Sequence, residues 1–546
     1  MEESRLNILV TGAHSDLGRH VAEALGDRDE HSLRFSDRGE RPLWLAGKNW
    51  TEADLTQPDQ VEQLLDGVDK VLHLEALALA AQPDMMPSEA VYRNTCGVYN
   101  LARGAQMTGV ERLVLASSLD LFARLPAHWQ VNEMWRPRPT PSLSDLCCWT
   151  AELSLRETVR AGSLLAVCLR FANVVDPATL GDQPYNPAWV SAADAVHGIE
   201  RALLFDAART KNATRPDWHV FHITAPGPRS KIRVTHTTGD EERSISSVSP
   251  FSYAPKDGFQ SRWPDPEPSP DRSVRWQDAV AEGDPIPGRP IRKVVIFGSS
   301  GPMGSATSRE LADVYTVRQS DLRSVAEALT SWSSGMGSRP QPVQLEAPHE
   351  FRRVDMGDTQ QVVDACAGMD AIINCSVLRP ELHAAFKVNT VGAFNIGLGA
   401  VAHRIRRIVQ TGPFQQMDPG YGSYVWDYDI PVDAPCRPLD YLYHHTKYLG
   451  QEILRVFAEY HELEVPVMLF WRLAALDEPH QIPPFAVTYE DSARSLRAAL
   501  EALSLPSPYE QFHVSVDLPH RRFELGKAKS LLGFEARDQL DRHWMD

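Results

Sequence analysis

The stretch Arg292-Lys-Val-Val-Ile-Phe-Gly298-Ser-Ser-Gly301-Pro-Met-Gly304 decides the fold. A short apolar run ends in a glycine, and the residues after Gly304 follow a helical pattern, so the segment reads as a buried strand, a tight turn and a helix. The three glycines act separately. Gly298 permits the turn, Gly301 lets a ligand approach the backbone, and Gly304 lets the helix pack against the strand. A helix that starts there presents free N–H groups and a partial positive charge, which suits a pyrophosphate. Asp321 follows the next strand, at the spacing of about 20 residues expected for an acid that accepts from ribose hydroxyls.

The same order occurs earlier in the chain. Leu6-Asn-Ile-Leu-Val-Thr-Gly12 precedes Ala-His-Ser15-Asp-Leu17-Gly18, and Asp37 ends the following strand pattern. Later landmarks repeat as well: Asn94 with Asn389, Arg112 with Arg407, and Asp194 with Asp491, at offsets of 295, 295 and 297. Alternating strand and helix patterns predict an α/β fold of two tandem doubly wound parallel sheets, each with helices on both faces. The expected domains are residues 1–226 and 291–546. The Pro-, Ser- and Asp-rich stretch 227–290 between them has too little apolar material for a core and reads as a linker.

The 546 residues are too many for one compact core. Lys and Arg total 55 against 72 Asp and Glu, a net charge of -17. That balance argues against nucleic acid or an anionic membrane surface as a partner. The seven cysteines show neither a C-x-x-C pair nor zinc spacing, which predicts no metal and fits a reducing, cytoplasmic setting. The chain has no apolar signal core at its start and no stretch near the ~20 residues of a membrane span.

In the second copy Asp321 would repel a 2′-phosphate, which favours NAD over NADP. Its expected cofactor contacts are Gly298, Gly301, Met303, Gly304 and Asp321. In the first copy they are Gly12, Ser15, Leu17, Gly18 and Asp37, with Ser15 standing where the middle glycine belongs and weakening the grip. Asp54 and Asp355 follow the third strand of each copy, where an acid could meet an adenine amino group or equally cap a helix.

Tyr443-His-His-Thr-Lys447 places a phenol and an ammonium one helical turn apart on one face. With the glycine loops and the Asn94 and Asn389 segments, this pair makes both copies resemble the extended short-chain dehydrogenase/reductase superfamily, in its NAD-dependent epimerase/dehydratase group. The resemblance implies that Tyr443 is the acid/base for hydride transfer at a carbinol. It further implies that Lys447 lowers the phenol pKa and holds the nicotinamide ribose, and that a Ser or Thr orients the substrate oxygen. The second copy departs from this pattern, because Pro413 falls opposite Ser118 and Thr411 is the nearest hydroxyl. The first copy keeps Ser117 and Ser118 but has Cys147 and Ala151 at the pair positions, so it reads as catalytically silent. The short segments after Arg170 and Arg472 resemble the compact uronate dehydrogenases, as does 175–196 in the first copy.

The leading expectation is an NAD-dependent oxidoreductase acting on a small molecule, a sugar or sugar acid, with Tyr443, Lys447 and Thr411 as catalytic candidates. The alternatives are a non-catalytic NAD-binding scaffold and a nucleotide-sugar epimerase or dehydratase. Relatives of this kind pair through two helices, so an intramolecular pseudo-dimer or a homo-oligomer is expected.

Overall fold

The computed structural model describes residues 5–79, 85–125, 131, 133, 135–176, 189–205, 217–224, 287–332, 338–414, 429–477, 485–519, 521–538 and 540. The chain divides into two compact units, Met1–Glu282 and Gly283–Asp546. The expected linker falls almost wholly outside the described residues, as does most of the 175–196 segment.

In the first unit the strands are β1 (Leu6–Thr11), β2 (His31–Asp37), β3 (Asn49–Glu52), β4 (Lys70–His73), β5 (Arg112–Ser118), β6 (Leu165–Phe171), β7 (Asn173–Val175), β8 (Trp189–Ser191) and β9 (Trp218–Ile223). Seven of them form one sheet in the order β3-β2-β1-β4-β5-β6-β9, while β7 and β8 pair separately. In the second unit they are β10 (Lys293–Phe297), β11 (Thr316–Asp321), β12 (Glu350–Arg353), β13 (Ala371–Asn374), β14 (Arg407–Pro413), β15 (Val465–Phe470), β16 (Arg472–Ala474), β17 (Ala486–Thr488) and β18 (Tyr509–Val514). The order repeats as β12-β11-β10-β13-β14-β15-β18, with β16 beside β17. Neighbouring strands are parallel throughout.

Parallel strands need crossovers, and the helices that supply them cover both faces, so the central strands are apolar on both sides. Val294, Val295, Ile296 and Phe297 of β10 are all buried. In the second core, Val294 and Ile296 join Ile373, Val409, Met468 and Phe512. In each sheet the order reverses between the first and fourth strands. A crevice opens there beyond the carboxyl ends of the strands, where ligands bind in folds of this class.

The glycines just past β1 and β10 are needed by the backbone. Gly12 and Gly298 have φ of +72° and +77°, and a Cβ would come within 2.3 Å of Glu75 N and 2.6 Å of Ser376 N respectively. The repeated arginines serve the structure. Arg407 donates to the carbonyls of Ala499, Leu500 and Ala502, closing the end of helix Tyr489–Glu501. Arg112 does the same to Leu203 and Phe205 after helix Ala192–Leu203. Asp194 and Asp491 sit in the first turns of those helices, where their N–H groups donate to the capping hydroxyls of Ser191 and Thr488.

Candidate active site

At the second turn, helix Pro302–Ala312 begins after Gly301, which offers no side chain to cap it. A Cβ at Gly301 would meet just the Gly298 carbonyl, at 3.4 Å, whereas one at Gly304 would lie 2.1 Å from that same oxygen. Gly304 is therefore demanded by helix packing, while Gly301 leaves open space in front of the first helical N–H groups. Asp321 accepts from the backbone N–H of Ser300 at 3.0 Å and of Arg323 at 3.3 Å. Burial pushes its carboxyl up, against the pull of those bonds. This cradle fits a dinucleotide: the amides face open space, the acid is in place, and Met303 lines the adjoining cavity.

The first turn has the same backbone and a different chemistry. Ser15 caps helix Asp16–Leu25, its Oγ accepting from Gly18 N at 3.0 Å and donating to the Gly12 carbonyl at 2.8 Å. The protein's own hydroxyl thus takes an amide that would otherwise face a phosphate. Leu17 is buried beside it. Asp37 is also engaged, with His14 Nδ1 3.1 Å from its carboxylate and Arg38 N donating to it at 2.8 Å. Burial opposes the Asp37 charge, but the bonds to His14 and Arg38 hold its carboxyl below the ordinary range.

Asp54 and Asp355 cap neither helix. The caps are Gln57 and Asp358. Asp54 instead accepts from Thr56 N at 2.9 Å and Asp355 from Gly357 N at 2.8 Å, so both close the turn after the third strand.

A cavity of about 720 Å³ in the second unit runs from Gly301 and Gly304 to Tyr443 and Lys447. Helix Leu442–His461 carries the pair on one face, as the spacing predicts. Lys447 is 2% exposed and its Nζ donates to the Ser376 carbonyl at 2.8 Å. Burial lowers its ammonium to about 8. Tyr443 is half-buried, and burial pushes its phenol up. The cation that opposes this shift is Arg379, whose guanidinium lies 4.8 Å from the ring centroid. The resemblance gave that electrostatic role to Lys447.

Thr411 lines the cavity, but its hydroxyl donates to the Asn374 carbonyl at 2.8 Å. Pro413 ends β14 as Ser118 ends β5, so the loss of the serine hydroxyl stands. Asn374 also accepts from Ser376 N and donates to Gln410, fixing the cavity floor.

In the first unit the residue at the place of Tyr443 lies in a small buried apolar cluster. Helix Glu75–Leu79 follows β4 directly, and Leu79 packs on Ala90 and the fully buried Cys147. Burial pushes the Cys147 thiol up to about 12. Glu75, the first residue of this helix, pairs with Arg93 at 2.9 Å. Ser117 donates to Glu152 at 2.6 Å, and Ser118 Oγ accepts from Asp120 N, capping the next turn.

Sequence reasoning missed Arg379, Arg472 and His444, all of which line the cavity. Burial, with Arg379 adding to it, lowers His444 to about 4. Strand register places Arg170 and Arg472 at different positions of the repeat. Leu115 pairs with Cys168, and Gln410 with Val467. Arg472 therefore corresponds to Asn173, while Arg170 lies within β6 and pairs with Glu152 at 2.7 Å. Among the described residues, no group of His, Cys, Asp and Glu could hold a metal, and no helix is long and apolar enough to cross a membrane.

Several known proteins are similar to the chain. A uronate dehydrogenase of Pseudomonas syringae pv. tomato is 32% identical over 112 residues, 20% of this chain and 39% of that protein. A uronate dehydrogenase of Pseudomonas putida is 28% identical over 205 residues, 36% of this chain and 70% of that protein. The chain thus spans about two fifths of the first relative's length. Among solved structures, a glucuronic acid dehydrogenase from Chromohalobacter salexigens superposes with a TM-score of 0.38 at 21% identity, covering 46% of this chain and 86% of that one. Residues 8–202 match the model of the NAD dependent epimerase/dehydratase family. That match lies within the first of the two Rossmann units.

Proposed function

We propose that the chain is an NAD-dependent oxidoreductase of a sugar or sugar acid, working in the cytoplasm, with its chemistry in the second unit and a catalytically silent first unit. One observation carries this reading: the uncapped Gly301 turn and the Tyr443–Lys447 pair open into the same cavity.

Gly298, Gly301, Met303, Gly304 and Asp321 would hold the dinucleotide, with Asp355 at the adjoining turn and Lys447 at the nicotinamide end. Bound there, NAD supplies a hydride acceptor. Tyr443 takes the proton of the substrate hydroxyl, and the charge of Arg379 favours the phenolate it needs. Lys447 keeps its ammonium beside the cofactor end through the Ser376 carbonyl. Thr411 serves as a hydroxyl acceptor, since its proton is committed to Asn374. The first unit, with Ser15, His14 and Leu79 in the ligand positions, serves as structural support. The similarity to uronate dehydrogenases supports sugar acids among the substrates.

Tyr443→Phe keeps the ring and removes the hydroxyl. Turnover of uronic acids or aldoses, read by NADH absorbance, is expected to fall about 100- to 10,000-fold while the chain stays folded. Undiminished turnover in Tyr443→Phe overturns the assignment, and a wild-type chain that binds NAD without oxidising any of them favours the scaffold reading.

A further inference from the structure

The chain is strongly acidic, and several of its arginines are paired with carboxylates where they stand. In the second unit Arg318 pairs with Glu350, Arg407 with Glu464, Arg455 with Glu452, Arg494 with Asp491 and Asp538, and Arg497 with Glu501. Arg379 and Arg472 are placed differently. Both are exposed, both line the cavity that holds Tyr443, and neither has a carboxylate partner among the described residues.

Arg379 is also held in place from behind. Asn389 donates to the Leu378 carbonyl at 2.7 Å and accepts from Leu378 N at 3.3 Å, gripping the residue before Arg379 on both sides. The same amide donates to Thr446 at 3.0 Å, which ties that grip to the helix of Tyr443 and Lys447. Asn389 lies in a π-helical turn, Phe386–Val391, a local irregularity common at functional sites. In the first unit the equivalent Asn94 keeps the bond to the matching Thr150 but donates to Cys147 O in place of the Leu378 carbonyl. Arg472 is fixed differently, as the first residue of β16, where it registers with Ala486 of β17.

Two guanidiniums without carboxylate partners in one cavity of an acidic protein call for an anion. We infer that Arg379 and Arg472 determine specificity by receiving an anionic group of the substrate, a carboxylate or a phosphate, beside the Tyr443 hydroxyl. The inference rests on reading this cavity as the site of chemistry and narrows its substrate to an anionic sugar. The planar guanidinium matches either group in a bidentate fashion, while the Tyr443 ring supplies a face for Arg379 to stack on. A neutral sugar would leave both charges without a counter-ion and so bind less well.

The test is calorimetry on the full chain, with and without saturating NADH, using three probes: D-galacturonate, D-galactose and UDP-glucose. The variants are Arg379→Gln, Arg472→Gln, the double variant and Arg379→Lys. A charge-assisted bond lost at a binding site weakens affinity about 10- to 100-fold. Each Gln variant is expected to lose about that much for one anionic probe, and Arg379→Lys to recover part of it. A loss for galacturonate identifies a carboxylate; a loss for UDP-glucose identifies a phosphate. Two results overturn the inference: galacturonate and UDP-glucose both bound as tightly by the double variant as by wild type, or a loss confined to NADH, which assigns the pair to the cofactor phosphates. Arginine-dependent binding of an anionic probe without NADH formation sinks the oxidoreductase reading and leaves the anion site standing. NADH formation that is blind to both arginines does the reverse.

Discussion

Lys447→Met exposes the cost of keeping an ammonium at the end of the cavity. Burial lowers Lys447 from 10.5 to about 8. At about 1.36 kcal/mol per pH unit, the charged side chain costs the fold about 3 kcal/mol at pH 7. Methionine has a similar length and removes that cost, but it leaves the Ser376 carbonyl without its donor, a penalty of about 1 kcal/mol. The variant is therefore expected to be about 2 kcal/mol more stable at neutral pH. The sign with pH follows from proton binding. Between pH 8 and 10.5 the unfolded lysine holds its proton and the folded one does not, so wild-type stability rises across that window. The advantage of the variant should then shrink to near zero by about pH 10. Urea titrations of the full chain at about pH 7 and pH 10 measure this, one of the two unit transitions moving by about 1 M at neutral pH for an m-value near 2 kcal/mol/M. The same variant should lose turnover, since the ammonium is gone from the cofactor end. A variant no more stable than wild type at neutral pH, or one whose advantage persists in the alkaline titration, would refute the reasoning.

Three further outcomes are expected. Gly301→Ser should convert the second turn into the self-capped form seen at Ser15 and weaken NAD about 10- to 100-fold without unfolding the chain, since its Cβ meets just one oxygen at 3.4 Å; calorimetry showing wild-type NAD affinity would contradict this. NAD should bind more tightly than NADP, because the Asp321 carboxylate repels a 2′-phosphate, and equal affinities would sink that assignment. Cys147→Ser should leave turnover unchanged, as its thiol is buried under Leu79; a steady-state assay in which the variant is inactive would revoke the silent role of the first unit.

The strand–glycine–helix turns, the repeated order of elements, the positions of Asp37 and Asp321, and the spacing of Tyr443 and Lys447 were all legible in the chain. These are local facts. Apolar runs mark strands buried on both faces, a glycine marks a backbone that excludes Cβ, and a four-residue spacing fixes one helical face. Even the missing hydroxyl at Pro413 could be read by counting along a strand.

What tertiary structure decided is how those residues are partnered. Ser15 read as a weakened cofactor contact, and the fold turns its hydroxyl back onto Gly18. Asp54 and Asp355 left two roles open, and the fold removes the capping role by placing Gln57 and Asp358 at the helix starts. Lys447 had the spacing to act on Tyr443, but the cation over that ring is Arg379, 64 residues earlier in the chain. No local pattern could place it there, because its position depends on the β13 crossover and on the Asn389 grip on Leu378. Sequence specifies which groups a backbone carries and which face they share; hydrogen bonding and charge are satisfied by whatever the fold brings within about 3 Å, and that distance is set by strands far apart in the chain.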